Sequence, residues 1–258
     1  MIGFVIFLVG KNQYAINIEM IQRIIQAQEV TVIPNSHPYI DGMISYEEKV
    51  LKVIDFRKMS HIPAYEEEVE SLFEVLKVQH HNWMDRLRNS VEDRAVPFTQ
   101  ETDPRRCELG IWLASFNSSD NKVNAVLRDL NSYHNALHRS ALTVLNMCDA
   151  AEEKCINFFS TDIKELFNKT MYHLDELGQE IETVAESMQK FLVVHGEQAF
   201  IIKVDSIVDI AYVDESAINK ADSVSTTEDY LCIDGILDNK GTLVNVIKSI
   251  ELPESKEQ

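Results

Sequence analysis

The sequence predicts an α+β fold in which β-rich ends flank a helical middle. Residues 1 to about 62 alternate short apolar runs with turn residues, a pattern typical of strands. From about residue 66 to residue 188, glycine and proline become rare and apolar residues recur at helical spacing. Strand patterns return from about residue 190. The order of secondary structure is therefore β, then α, then β.

The first β region opens with an apolar run that resembles a short signal peptide. No basic residue precedes this run, and Lys11 follows it without a small-residue cleavage site, so we interpret it as a strand. Residues 19–25 fit a short helix or a turn, and Pro34 ends a later strand. The predicted strands cover residues 4–9, 14–18, 30–33, 39–44 and 50–55.

The middle region is predicted to form four helical stretches with short connections, which favours an antiparallel bundle. Leu72, Leu76 and Leu87 illustrate the helical spacing of its apolar residues. The dipeptide Asp103-Pro104 precedes a segment in which a helix begins. The other predicted helices cover residues 75–88, 124–147 and 162–188.

The second β region contains two predicted turns, Gly196-Glu197 and Asp238-Asn239-Lys240-Gly241. Its predicted strands cover residues 191–194, 199–202, 207–210, 231–237 and 243–247.

Three separate domains and one interrupted β domain both fit this order. Each β region has only about 60 residues, a length that is marginal for an independent core. An even-numbered bundle returns both of its ends to one side, as an insertion requires. We therefore favour a β domain made of residues 1–64 and 189–258, with residues 65–188 inserted as a helical domain.

Composition limits the partners and the location of the chain. Its formal net charge of −18 argues against nucleic acid and against anionic membrane surfaces, because both are bound by an excess of Lys and Arg. No apolar run approaches the length of a membrane helix, so no membrane insertion is expected. The four cysteines lack an accompanying secretion signal, which indicates a reducing, cytoplasmic setting.

Four residues of the middle region form a candidate zinc site. His134 and His138 are spaced i, i+4 and project from one helix face, where a single ion can reach both. Cys107 and His80 complete a set of three imidazoles and one thiolate. His81 competes with His80, but Trp83 shares the face of His80, so His81 is expected at the surface.

Several roles fit such a site. Four protein ligands leave no position for substrate, which suits a structural zinc site. A zinc-bound thiolate is also nucleophilic, so oxidation or metal loss could release Cys107 and make the site a switch. A zinc hydrolase would need an open coordination position. We interpret His37, His61, His173 and His195 as surface or packing residues, and Cys148 and Cys155 as two small apolar residues.

Residues of about 70–182 resemble the chemoreceptor zinc-binding (CZB) domain. The family pattern is His-x-x-aromatic, then Cys-x-Leu/Phe-Gly-x-Trp, then His-x-x-x-His. The resemblance implies a cytoplasmic zinc-binding four-helix bundle, linked to zinc sensing and to oxidant sensing through the zinc-bound cysteine. The matching residues are His80 with Trp83, the run from Cys107 through Leu109 and Gly110 to Trp112, and His134 with His138.

The two β regions, taken together, resemble a CheW-like domain. The first half is carried by residues 7–19, 34–44 and 53–58, and the second by residues 204–210 and 235–244. The resemblance implies a pair of small five-stranded β-barrels without enzymatic chemistry. It also implies an adaptor that couples chemoreceptors to the histidine kinase CheA.

The chain departs from the CheW-like pattern at two places. Glu47 stands where an arginine is usual, and Lys248 stands where an aspartate is common. A neutral change in a loop and an altered partner interface both fit the Glu47 substitution. We therefore expect a chemotaxis adaptor with an inserted zinc or oxidant sensor. A constitutive scaffold with purely structural zinc is the alternative, and a homodimer through the bundle stays open.

Overall fold

The computed structural model describes residues 1–195, 198–220, 224–225 and 230–253. The chain divides into two units. We call them the β unit, which comprises Met1–Tyr65 and Ala185–Gln258, and the helical unit, Glu66–Val184. The predicted α+β class is confirmed. The predicted turn at Gly196-Glu197 lies outside the described residues.

The first sheet of the β unit has seven strands. They are β1 (Ile2–Val9), β2 (Asn12–Asn17), β8 (Ser206–Val213), β9 (Ile218–Asn219), β10 (Val224–Ser225), β11 (Leu231–Asn239) and β12 (Thr242–Ile250). The strand order is β10-β11-β12-β2-β1-β8, and β9 pairs with β11. Because β12 pairs in parallel with β2, strands from before and after the helical unit share this sheet.

The second sheet has five strands. They are β3 (Ile21–Gln26), β4 (Ile40–Tyr46), β5 (Lys49–Asp55), β6 (Lys190–Val194) and β7 (Phe200–Val204). The order is β3-β6-β7-β5-β4, and β5 pairs in parallel with β7. Both halves of the chain therefore contribute to this sheet as well.

The two sheets differ from the five-stranded barrels that the resemblance implied. Among the described residues, the strand pairings define open sheets of seven and five strands. The two extra strands of the first sheet are β9 and β10, which have only two residues each and pair at the free edge of β11. Such short edge strands carry little sequence pattern of their own.

Two local predictions in the first β region are corrected. Only Ile18–Met20 forms a helical turn, and the residues after it form β3, because β6 supplies a pairing partner from far along the chain. The strand predicted at residues 30–33 is reduced to a single bridge between Thr31 and Met43.

The helical unit is built around three long helical segments and one short helix. The long segments are α2 (Tyr65–Glu92), α4 (Asn121–Ala150) and a third that consists of α5 (Glu152–Phe158), a π-helical turn at Phe159–Ile163 and α6 (Lys164–Met188). The short helix is α3 (Glu108–Ser115). The label α1 denotes a single-turn helix of the β unit, Phe56–Met59. The apolar faces of the helices of the helical unit enclose Leu76, Leu130 and Leu177, which are fully buried. No helix among the described residues is long and apolar enough to cross a membrane.

Cys148 and Cys155 do not share one helix. The chain breaks at Ala151, so Cys148 lies in the last turn of α4 and Cys155 in the first turns of α5. Their sulfur atoms form a disulfide, with 4.9 Å between the Cα atoms. The expectation of two small apolar residues with reduced thiols is therefore wrong for this pair, although Cys155 is fully buried as expected.

A buried ion pair holds together several segments of the β unit. The Arg57 guanidinium donates from Nε and Nη2 to the two carboxylate oxygens of Asp205, at 2.7 and 2.6 Å. Its Nη1 donates to the carbonyl of Pro63 at 2.6 Å, and its plane lies 5.2 Å from the Tyr65 ring centroid. The backbone N–H of Gly10 donates to the same Asp205 carboxylate. Arg57 is only 3% exposed and Asp205 9%, so the pair is shielded from water.

A second set of contacts holds the end of α6 within the β unit. The side-chain amide of Gln26, on β3, donates to the carbonyls of Ser187 and Gln189. The backbone N–H of Ala27 also donates to the Gln189 carbonyl, at 3.2 Å. The first residue of α2 and the last residues of α6 are therefore both fixed by side chains of the β unit.

Replacing Asp205 by Asn should destabilise the β unit strongly, because the buried Arg57 guanidinium loses its countercharge. Removing one partner of a buried ion pair costs about 3–5 kcal/mol. Urea unfolding followed by circular dichroism measures the change. Lys240→Ala is the matched control, since its ion pair with Asp209 is exposed and should matter little. Equal stability of the two variants would contradict the role assigned to Arg57.

Candidate metal centre

His80, His134 and His138 lie on the buried faces of two long helices. His80, on α2, is 2% exposed and lies one turn from Leu76. His134 and His138, on α4, are 0% and 1% exposed. The neighbouring His81 is exposed to solvent, as the position of Trp83 indicated. The helical period therefore selects His80 rather than His81 for the interior.

Cys107 is the N-cap residue of α3 and is half-buried. The next turn is fixed by two features of the Cys-x-Leu-Gly motif. Leu109 is fully buried, and a Cβ atom on Gly110 would lie 1.7 Å from the carbonyl oxygen of Pro104. Only glycine permits this approach, so the motif sets the position of α3 and of the thiol before it.

The four predicted ligand residues come together in the fold. One ligand atom from each of them can be chosen so that all four atoms lie within 4.8 Å of one another. The Cys107 Sγ lies 3.5 Å from His80 Nε2. No other group of three or more His, Cys, Asp and Glu ligand atoms of this kind occurs in the part of the chain that the structure describes.

Two of the imidazole rings are oriented by backbone carbonyls. His80 Nδ1 lies 2.7 Å from the Leu76 carbonyl oxygen, and His138 Nδ1 lies 3.1 Å from that of Glu101. Trp83 Nε1 donates to the same Glu101 oxygen at 2.9 Å. A carbonyl that accepts from Nδ1 leaves Nε2 free as the ligand atom, as is usual for histidines that bind metals.

Several nitrogen atoms of the cluster have no hydrogen-bond partner despite complete burial. These atoms are Nδ1 and Nε2 of His134 and Nε2 of His138. An unsatisfied buried polar atom is costly, and it calls for a water or an ion that satisfies it. A metal ion bound by these nitrogens would remove that cost, so the residues present fit a metal.

The electrostatics of the cluster also suit a cation. Burial, with the neighbouring imidazoles His138 and His80, lowers the pKa of His134 to about 2. Burial and the His80 imidazole lower the pKa of His138 to about 4. Burial likewise lowers the pKa of His80. All three imidazoles are therefore neutral at pH 7 and present lone pairs.

The thiol of Cys107 behaves in the opposite way. Burial raises its pKa above the ordinary 9.0, although the backbone N–H groups of Gly110 and Leu109 act against that shift. The thiol is therefore protonated at pH 7 until a cation replaces the proton. Three neutral imidazoles and one thiolate are a tetrahedral donor set for Zn²⁺.

One side of the cluster opens into a cavity of about 420 Å³. His80, Cys107 and His138 form part of its wall, and Gln79 and Arg86 contribute polar groups. His134 is absent from that wall. The cavity can therefore admit small molecules to the Cys107 side of the cluster.

The comparisons with known proteins agree with the resemblance to the chemoreceptor zinc-binding domain and with the first half of the CheW-like resemblance. Residues 3–84 match the family model of the CheW-like domain, and residues 80–145 match that of the chemoreceptor zinc-binding domain. The chain therefore combines a CheW-like region with a chemoreceptor zinc-binding region. The second match, together with the His and Cys cluster, identifies zinc as the cofactor.

Individual relatives are similar over parts of their length. The chain is 37% identical over 62 residues to "Chemotaxis protein CheW" of Bacillus subtilis (strain 168), a match that covers 24% of this chain and 40% of that protein. The scaffolding protein TtCheW from Thermoanaerobacter tengcongensis aligns with a TM-score of 0.44 and 12% identity, over 95% of this chain and 88% of that one. This structural likeness is too low to carry an argument.

Some functional groups of the centre carry no sequence signal. The carbonyls of Leu76 and Glu101 orient two imidazoles through the backbone, so no side-chain pattern marks them. Glu101 also lies in an irregular segment, where helical periodicity gives no direction. Only the helical position of Leu76, four residues before His80, could have indicated its role.

Zinc binding should release one proton, and that proton should come from Cys107. The three histidines, whose pKa values are all lowered, are neutral at pH 7, whereas the thiol stays protonated up to its raised pKa. The apparent association constant for zinc should therefore rise about tenfold per pH unit between about pH 7 and pH 8. Calorimetry in buffers of different ionisation enthalpy counts the protons. If the logarithm of the zinc association constant rose by two or more per pH unit, histidines would also be losing protons.

Removing a ligand should abolish tight zinc binding, whereas changing the neighbouring surface histidine should not. Removing a residue that only hydrogen-bonds to a metal ligand costs about 10–100-fold in metal affinity. His134 is predicted to be a ligand itself, so His134→Ala should lose more than about 100-fold. His81→Ala is the matched control, because His81 lies on the same helix as His80 but faces solvent. Chelator competition and metal analysis measure both variants. Wild-type affinity in His134→Ala would overturn the ligand assignment.

Proposed function

We propose that this chain is a non-catalytic chemotaxis adaptor that couples chemoreceptors to the histidine kinase CheA in the cytoplasm. Its helical unit would be an inserted antiparallel bundle that binds Zn²⁺ through His80, Cys107, His134 and His138. The convergence of these four ligand atoms within a region that matches the chemoreceptor zinc-binding domain carries the proposal. The CheW-like match supports the adaptor role.

Cys107 is the ligand best suited to respond to a stimulus. The three histidines are held by helices of 28 and 30 residues, whereas Cys107 caps a helix of only eight. A helix this short is not stable by itself in water. Its position depends on tertiary contacts, among them the buried Leu109 and the edge contact of Trp112 with Phe73. A thiolate–metal bond would add a further support, which oxidation of the thiolate would remove.

The adjoining cavity supports a sensing role for the same residue. It gives a small oxidant or a chelating metabolite a route to Cys107, while the fully buried His134 is not part of its wall. The raised pKa of the metal-free thiol makes that thiol a weak nucleophile. Metal binding and thiolate reactivity are therefore linked, so zinc and an oxidant can act through one residue.

The two ends of the helical segment offer a route to the β unit. Arg57 contacts Pro63 and the Tyr65 ring at the start of α2, and Gln26 binds Ser187 and Gln189 at the end of α6. Arg57 and Gln26 are side chains next to or within strands of the CheW-like region. All of these contacts lie within the β unit, so they order the two points at which the chain leaves and re-enters that unit.

The Glu47 substitution bears on the partner interface. Glu47 and Glu48 form the turn between β4 and β5 with φ angles of 46° and 62°, and Glu47 pairs with Arg23 at 3.0 Å. Both side chains of this pair are at least half exposed. The reversed charge is therefore balanced within the chain, which leaves a changed partner and a neutral drift as the two interpretations.

A constitutive scaffold with structural zinc is the second candidate. The closed set of four protein ligands favours it, because structural zinc sites have no open position. In that case zinc would stabilise the helical unit without altering the affinity for any partner. A homodimer formed through the helical unit is compatible with either candidate.

The adaptor and sensor roles can be tested by measuring binding to CheA and to a chemoreceptor cytoplasmic fragment. We expect zinc-loaded, chelated and peroxide-treated protein to differ by at least about fivefold in affinity for one partner. Cys107→Ser should remove the response to peroxide, and Cys232→Ser, which changes a free thiol outside the helical unit, should retain it.

The outcomes separate the candidates. Binding that is the same in all three states, with loss of helicity on chelation, supports the constitutive scaffold. Absence of binding to both partners in every state refutes the adaptor role itself.

A further inference from the structure

Neither Cys148 nor Cys155 belongs to the cluster of four candidate zinc ligands. The pair joins the last turn of α4 to the start of α5 across the break at Ala151. The Cα separation of 4.9 Å lies within the range that a disulfide spans without backbone movement. The backbone is therefore arranged so that the two sulfurs can be joined or separate while both helices stay in place.

The two cysteines differ in their access to solvent. Cys155 is fully buried in the apolar cluster that includes Val91 and Phe159. Cys148 packs against the edge of the same cluster and is partly exposed. Cys148 is thus the residue of the pair that is open to a reagent from solution, and Cys155 is closed to it. This asymmetry is the arrangement of an attacking and a resolving cysteine.

We propose that Cys148 and Cys155 form a reversible dithiol–disulfide site that reacts with low-molecular-weight disulfides such as glutathione disulfide. The site is separate from Cys107 and does not require release of zinc. It links α4 to α5 covalently when oxidised, and when reduced it leaves their junction held by packing alone.

The chemistry proceeds by two exchanges. The Cys148 thiolate attacks one sulfur of glutathione disulfide, which breaks the S–S bond, expels one glutathione thiolate and forms a mixed disulfide. The Cys155 thiolate then attacks the Cys148 sulfur and expels the second glutathione. The protein gives up two electrons and two protons, and one glutathione disulfide becomes two reduced glutathiones. Uncatalysed thiol–disulfide exchange of this kind takes minutes to hours.

The test uses the zinc-loaded full chain equilibrated in glutathione buffers of graded ratio. Acid quenching, maleimide labelling and intact mass count the free thiols, peptide mapping locates the link, and metal analysis follows the zinc. We expect the loss of two thiols, a Cys148–Cys155 peptide link and retained zinc. Cys232→Ser, the control for the free thiol of the β unit, should show the same link.

Single variants test the assignment of roles. Cys155→Ser should accumulate a glutathione adduct on the exposed Cys148, and Cys148→Ser should accumulate little adduct on the buried Cys155. Equal adducts on both variants would overturn the assigned order of attack. A link that forms only after zinc is lost, a link to another cysteine, or four thiols that persist at every ratio would overturn the proposal. The measurement on wild-type protein decides the matter even if a variant fails to fold.

Discussion

The β unit depends on one buried guanidinium. Arg57 binds the carboxylate of Asp205, the carbonyl of Pro63 and the ring of Tyr65, and Asp205 in turn accepts the backbone N–H of Gly10. A buried charge is tolerated only when it is paired and its donors are satisfied. Three distant parts of the chain therefore meet around Arg57. They are the turn after β1 at Gly10, the junction of β7 and β8 at Asp205, and the start of α2 at Tyr65.

The helical unit has a different constraint at its centre. Three neutral imidazoles occupy positions that apolar residues fill in an ordinary helical core, and some of their nitrogens have no partner within the described protein. A cation bound by these nitrogens would supply the partner that they lack. A zinc ion bound by these residues would therefore contribute to the packing of the helices as well as to metal recognition.

The grouping of the four candidate ligands could be predicted from sequence because its constraints are local. Helical spacing places His134 beside His138 and selects His80 over His81, and the close approach of Pro104 explains Gly110 in the cysteine motif. The α+β class follows from the same local periodicity. Features that depend on distant partners were missed, such as β3, which forms because β6 pairs with it. The Cys148–Cys155 link was missed because both cysteines lie between the predicted helices 124–147 and 162–188. Nothing in that stretch of sequence marks the break at Ala151 that brings them together.

The parallel pairings β2–β12 and β5–β7 have a consequence for biosynthesis. Strands of the first 64 residues cannot complete either sheet until residues beyond 200 leave the ribosome, a delay on the order of ten seconds at usual synthesis rates. The helices of the middle region make local contacts and can fold during that interval. They then replace a long flexible loop by an ordered connection, which lowers the entropy cost of joining the two halves.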